Sequence, residues 1–242
     1  MAVNLSVESA PGRRGIAGAT ILNQRVFQQV VSLGPNCRAK QHMKQNFGDR
    51  ITRRGVFDWQ VTPSGTLVEY LRRDFHGMFE RADLAVIAGK VMNLRYGTEH
   101  PHEFPIDVTE AQLDLLFPAA RKAHDGWCLV SRNMIADSLT TFFILGLPVP
   151  DEVADEFRAH VQRANPRKRF ELLLSPVGDV AEWRGDAWKG DAELWVRHLS
   201  QFQISPPLSA RLRHQLRRLH KNFRYFLPRS QSRLLGGTGM YN

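Results

Sequence analysis

The sequence predicts an α/β fold, a mostly parallel open sheet flanked by helices, on three observations. Short apolar runs at Val26–Leu33, Trp127–Ser131 and Phe170–Leu174 have strand length and strand composition. Stretches between them repeat apolar residues every four positions, the helical period. Strands that alternate with helices at this spacing belong to a parallel sheet whose crossovers cover its faces.

Residues 1–22 mix Ser, Pro, Gly and Arg without periodicity and read as a flexible arm. Order is expected from residue 23, in an α/β domain extending to residue 205. Val26-Phe27, Val30-Val31 and Leu33 read as one strand. After the Gly34-Pro35-Asn36-Cys37 turn, Ala39, Met43 and Phe47 share one helical face, and Gly48 supplies a stop. A second helix is expected from Ser64, with Ser64 as cap and Leu67, Leu71 and Phe75 four apart. Val91–Ile106 contains Pro101 and Pro105 and is expected to be a loop with short extended pieces. Thr109-Glu110-Ala111-Gln112 resembles a capping box and predicts a helix to about His124, despite Pro118. Asp125-Gly126 reads as a turn before the Trp127–Ser131 strand, which makes Cys128 a core residue. A helix over Asp151–Arg163 leads to the strand ended by Pro176. Trp183, Trp188 and Trp195 lie in a polar, Gly-containing stretch whose spacing defines no element.

Residues 206–230 are expected to form a basic amphipathic helix, with Leu208, Leu212, Leu216, Leu219, Phe223 and Leu227 in one apolar stripe. Residues 231–242 are expected to be a flexible tail. Gly236-Gly237-Thr238-Gly239 has no preceding strand and reads as linker rather than as a phosphate loop.

Charge divides the chain in the same way. The net charge is +9, and no acidic residue follows Glu193, while nine basic residues do; the preceding body is balanced. Any attraction to an anionic surface or nucleic acid therefore belongs to Arg211, Arg213, Arg217, Arg218, Lys221 and Arg224. The competing reading docks the leucine stripe on the core and leaves these cations in water. Apolar residues make up 43% of the chain, but no run approaches the roughly 20 that span a bilayer, and the N-terminal stretch lacks a signal peptide's apolar core. Two cysteines are no disulfide framework, so a cytoplasmic protein without a transmembrane segment is expected. No cofactor is expected, because neither a Walker-type loop nor a GxGxxG pattern is present.

Cys37 is the first candidate for chemistry. A cysteine in the first turn of a helix faces amides without intrahelical partners, a placement that favours the thiolate. Its base must come from elsewhere in the chain, since His42 is five positions on and points roughly 140° away on the helix. His100 and His102 sit in a proline-rich loop able to bring a ring to the helix start. Asp58, between Phe57 and Trp59, is expected to be buried and paired, with His102, with Arg54 or with a backbone amide. His100-x-His102 beside Glu103 also suits the start of a metal site, but no second half at metal-ligand spacing is visible and no metal is expected.

Ser32-Leu33-Gly34-Pro35-Asn36-Cys37, then Phe57-Asp58-Trp59, Asp74-Phe75 and His102-Glu103-Phe104 resemble, in order and spacing, a bacterial family described as papain-like cysteine peptidases. Val56 stands where that family commonly has proline, and Glu103 where it has aspartate. The resemblance implies Cys37 as nucleophile, His102 as general base and Asp58 as orienting or structural support. Asn36, Trp59 and His100 are the accompanying binding candidates. It also implies an acyl or peptide substrate and, as the alternative fold, a papain-like α+β arrangement. A strand running directly into the cysteine turn suggests a second enzyme class, an acyltransferase or esterase acting on a glycan and built on an α/β sheet. The third reading is a binding module that acts through the basic C-terminal helix.

Overall fold

The computed structural model describes residues 25–48, 52–179 and 189–208. The expected N-terminal arm, most of the basic C-terminal helix, and Trp183 and Trp188 lie outside these residues.

A four-stranded parallel sheet organises the chain. It comprises β2 (Gln29–Ser32), β3 (Thr52–Arg53), β7 (Thr141–Ile144) and β8 (Phe170–Leu173), in the order β3-β2-β7-β8. β2 and β7 register Val30 on Phe142 and Val31 on Phe143. Side chains alternate across a strand, so each central strand serves two cores. Val30, Phe142 and Ile144 join Ala39 and Met43 of α1 (Cys37–Phe47) and Trp195 and Leu199 of α5 (Ala192–Leu199). On the opposite face Val31, Phe143 and Leu145 join α2 (Ser64–Arg72), α3 (Glu110–Ala136) and α4 (Asp151–Ala164) through Leu67, Ile135 and Phe157. The expected α/β class is the one observed, with helices on both faces of a parallel sheet.

Two small sheets complete the structure. β1 (Arg25–Phe27) pairs in parallel with β9 (Phe202–Ile204) and adds Phe27, Phe202 and Ile204 to the core of Val30, Phe142 and Trp195. The expected single strand over Val26–Leu33 is thus two strands in different sheets. Between α2 and α3 stands an antiparallel module, β4 (Leu84–Ile87), β5 (Lys90–Asn93) and β6 (Thr98–Glu99). It packs Leu84 and Val91 against Leu113 and Ala120 of α3, and holds the extended pieces expected in Val91–Ile106.

The main correction concerns Trp127–Ser131, which is helix rather than strand. α3 runs for 27 residues, opened by Thr109 and Gln112 as a reciprocal capping box and continuous through Pro118 and Gly126. Its buried residues include Ala120, His124, Cys128, Ser131 and Ile135, a helical repeat at three- and four-residue steps. Arg121 pairs with Asp125 across one turn, so Asp125-Gly126 does not break the chain. Cys128 is a core residue, as expected, but on a helix. At α2, Ser64 is the first helical residue rather than the cap, and Pro63 occupies the cap position. No helix among the described residues is long and apolar enough to cross a membrane.

Candidate active site

The turn that presents Cys37 is built by close backbone contact at the carboxyl ends of β2 and β7. The Leu33 amide donates to the Ile144 carbonyl at 2.9 Å, and the Gly146 amide donates to the Gly34 carbonyl at 2.7 Å. Gly34 adopts φ +80°, and a Cβ on Gly146 would stand 3.1 Å from the Gly34 oxygen, so both positions suit glycine. The Pro35 carbonyl accepts from the Thr62 amide at 2.7 Å. Asn36 caps α1, its Oδ1 accepting from the Arg38 amide at 2.9 Å. Of the binding candidates, Asn36 therefore has a structural role that fixes where the helix starts. Cys37 is the first helical residue and is half-buried.

His102 reaches this thiol from 65 positions further along the chain, with Nε2 at 3.4 Å from Sγ. Backbone stitching carries it there. Val61 and Glu99 exchange hydrogen bonds of 2.8 and 3.1 Å, the His100 amide donates to the Val91 carbonyl, and Thr62 is already fixed to Pro35. The antiparallel module is thus tied through Val61–Thr62 to the cysteine turn. Trp59 meets the His102 ring edge-to-face at 6.0 Å. Behind it Trp127 stacks on Trp59 at 5.1 Å, and the Arg54 guanidinium lies 5.5 Å from the Trp59 ring centre. Trp59 is accordingly in place as a wall of the site.

Asp58 lies beneath this pair with its side chain 4% exposed. Its Oδ2 accepts from the Gly55 amide at 3.0 Å and from Lys40 Nζ at 3.4 Å. Of the three partners weighed for it, the structure selects a backbone amide and adds Lys40; neither bond goes to the His102 ring. Of the orienting and structural roles expected for Asp58, these bonds are those of structural support, and it is the Trp59 ring that packs against His102. Burial pushes the Asp58 carboxyl up, opposed by Lys40, the Gly55 amide and the Ser32 hydroxyl. Burial likewise pushes Lys40 down, with Asp58 opposing.

The Cys37 thiol is pushed up by burial first and by the Asp58 charge second, with Lys44 opposing. Both effects work against the thiolate that the helix start favours. The imidazole nitrogen 3.4 Å from Sγ is within reach of the thiol proton.

His100 does not join the site. Its side chain is fully buried, Nε2 lies 2.8 Å from Thr98 Oγ1, and its ring is 4.6 Å from Phe79. Glu103, 4% exposed, places a carboxylate oxygen 3.8 Å from His100 Nδ1. One ring of the His-x-His pair is thus sequestered while the other is exposed on Cys37, and no cluster of three or more candidate metal ligands occurs among the described residues. His42 is also interior, stacked on Trp195 at 4.7 Å. Lys40 and Trp127 are contributors that the sequence reading missed. Reading 127–131 as strand hid Trp127, whereas Lys40, three residues after Cys37, lies about one turn further along the same helix. The chain matches no family model, no curated protein and no solved structure.

Proposed function

We propose that the protein is a cysteine-dependent acyl-transfer enzyme, a hydrolase of the peptidase type, with Cys37 as nucleophile and His102 as general base. The 3.4 Å contact between Sγ and Nε2 carries this reading, since it joins groups 65 residues apart at the mouth of a helix. His102 takes the thiol proton as sulfur bonds to the acyl carbon. The Cys37 amide, at a helix start where no intrahelical acceptor exists, would face the resulting oxyanion. The leaving group departs with the proton returned by His102, and water releases the acyl group by the same steps in reverse order. The motif resemblance to papain-like cysteine peptidases supports the same two roles.

The second reading, a glycan-directed acyltransferase or esterase, is favoured by the setting of Cys37. The turn directly follows a strand of a parallel sheet, as nucleophile turns do in α/β sheets. The two readings share one acyl-enzyme chemistry and differ in the acyl donor and, for a transferase, in an acceptor hydroxyl that replaces water. A cytoplasmic setting, the reading the two cysteines favour, would keep the free thiols Cys37 and Cys128 reduced. Binding of an anionic partner through the basic C-terminal segment would be an additional property, read from sequence alone.

Iodoacetamide is expected to label Cys37 in the native protein and leave Cys128, which is buried, untouched. His102→Ala is expected to slow that labelling about tenfold or more. Equal labelling of both cysteines in the native state, or a rate indifferent to His102, would overturn the proposal.

A further inference from the structure

The order β3-β2-β7-β8 means that the chain leaves β2 toward β3 on one side and later returns to β7 on the other. The sheet reverses its direction of growth between β2 and β7. At such a point the segments leaving two adjacent strands diverge and open a crevice beyond their carboxyl ends, where ligands of open α/β sheets bind. Here those segments are the Cys37 turn and the stretch that follows Ile144.

A cavity of about 210 Å³ occupies this position. Leu33 and Pro35 line it from the cysteine turn, Leu145 and Leu147 from the segment after β7, and Val61 and Leu67 from the entry to α2. No charged side chain lines it, and its only side-chain polar groups are the hydroxyls of Thr62 and Ser64. Of the backbone groups beside it, the Gly34 and Pro35 carbonyls are already engaged, accepting from the Gly146 and Thr62 amides. Most of the wall therefore offers contact, with hydrogen bonding confined to the Thr62 and Ser64 hydroxyls and the start of α2, and a charged group seated along the apolar part would lose hydration without compensation.

We propose that this cavity receives the aliphatic chain of the acyl group that Cys37 attacks, which makes the substrate an aliphatic acyl donor rather than a charged or sugar-acid one. The inference rests on the thiol chemistry proposed above. Pro35 is both cavity wall and the second residue before Cys37, so a chain seated against it lies beside the thiol's turn. A void of about 150 Å³ holds a benzene ring, so this volume suits a chain of roughly six to eight carbons. Leu147 is a half-buried residue of the lining.

The test is the rate at which Cys37 of the full chain is alkylated by N-ethyl, N-butyl and N-hexyl iodoacetamide and by an N-(5-carboxypentyl) analogue. Sulfur displaces iodide in each, so the series varies only in the group offered to the cavity. The rate is expected to climb roughly threefold to fourfold per methylene, less where the chain is partly exposed. The carboxylated analogue should gain nothing. Leu147→Trp, which enlarges a lining side chain, should bring the hexyl-to-ethyl ratio to about one, and Ser64→Phe, at another lining position, does the same should the first variant fold poorly. A flat series in a protein whose labelling still depends on His102 overturns the cavity assignment and leaves the dyad standing. Labelling that ignores His102 overturns the dyad and this inference with it, and a chain-length effect that survives both filling variants overturns the assignment to this cavity.

Discussion

Cys37 has two neighbours of opposite effect, the His102 ring 3.4 Å from its sulfur, which is the proposed acceptor of its proton, and the Asp58 carboxyl, whose charge opposes its ionisation. Asp58→Asn keeps an oxygen for the Gly55 amide and removes the like charge. Alkylation of Cys37 at pH 7.5 is expected to rise about twofold to fivefold in this variant. A fall to the level of His102→Ala would instead show that Asp58 positions the base. A second residue controls stability rather than chemistry. Burial, helped by His100 and Arg121, pushes His124 down to about 3, with its Nε2 2.8 Å from the Tyr70 hydroxyl. Between its ordinary 6.5 and about 3 the unfolded chain holds a proton that the folded chain refuses. Stability from this group is therefore complete above that window and falls as pH drops through it, by about 1.4 kcal/mol per pH unit. Urea midpoints at pH 7 and pH 5 measure the loss, and His124→Gln is expected to reduce the difference between them.

The helices and strands differ in how far the sequence announces them, and the reasons are physical. α1 is plain because Ala39 and Met43 are both fully buried at four-residue spacing and Gly48 ends the helix at φ +82°. β7 is not, because Thr141, Phe142, Phe143 and Ile144 are buried on both faces, and a strand without a wet side shows no alternation. The cavity followed β7 out of view, since Leu145 and Leu147 have meaning only beside the cysteine turn. Cys37 and His102 were readable as a pair from motif order. The support beneath them was not, because Lys40 and Trp127 act through contacts between elements. One such contact is testable at Gly55, where the chain presses on α3. The Val56 amide donates to Ser131 Oγ at 2.8 Å, and a Cβ on Gly55 would stand 2.6 Å from that oxygen. Gly55→Ala is expected to cost about 1–3 kcal/mol. Gly65→Ala, where nothing lies within 4 Å, is expected to stabilise by about 0.5 kcal/mol, both read as shifts in thermal midpoint.

At the scale of the molecule, two ion-pair anchors hold the faces of the parallel sheet to its surroundings. Asp179, fully buried, accepts from Arg38 of α1 at 3.2 Å and from the Trp195 indole of α5 at 2.7 Å. Lys168, also buried, donates to Asp137 at 2.7 Å and so ties the start of β8 to the end of α3. The antiparallel module is held differently, by its packing on α3, by the hydrogen bonds between Val61 and Glu99, by Tyr96 in the core of α2, and by the Thr66 hydroxyl and Asn93 amide, which donate to the Tyr96 and Met78 carbonyls. Nucleophile and base thus stand on opposite sides of a seam, Cys37 on the sheet and His102 on the module. Separation along that seam exposes less surface than global unfolding and requires less free energy. On heating, His102-dependent labelling of Cys37 is expected to fade several degrees before the far-ultraviolet helical signal, and coincident loss of the two would contradict this.

The hydrogen bonds between Val61 and Glu99 acquire a further meaning from that seam. They join the backbone segments that carry Cys37 and His102, so the proposed dyad is assembled only while the antiparallel module is in place. Under the proposed chemistry, displacement of the module would take the proton acceptor from Cys37 and leave the strands of the parallel sheet paired.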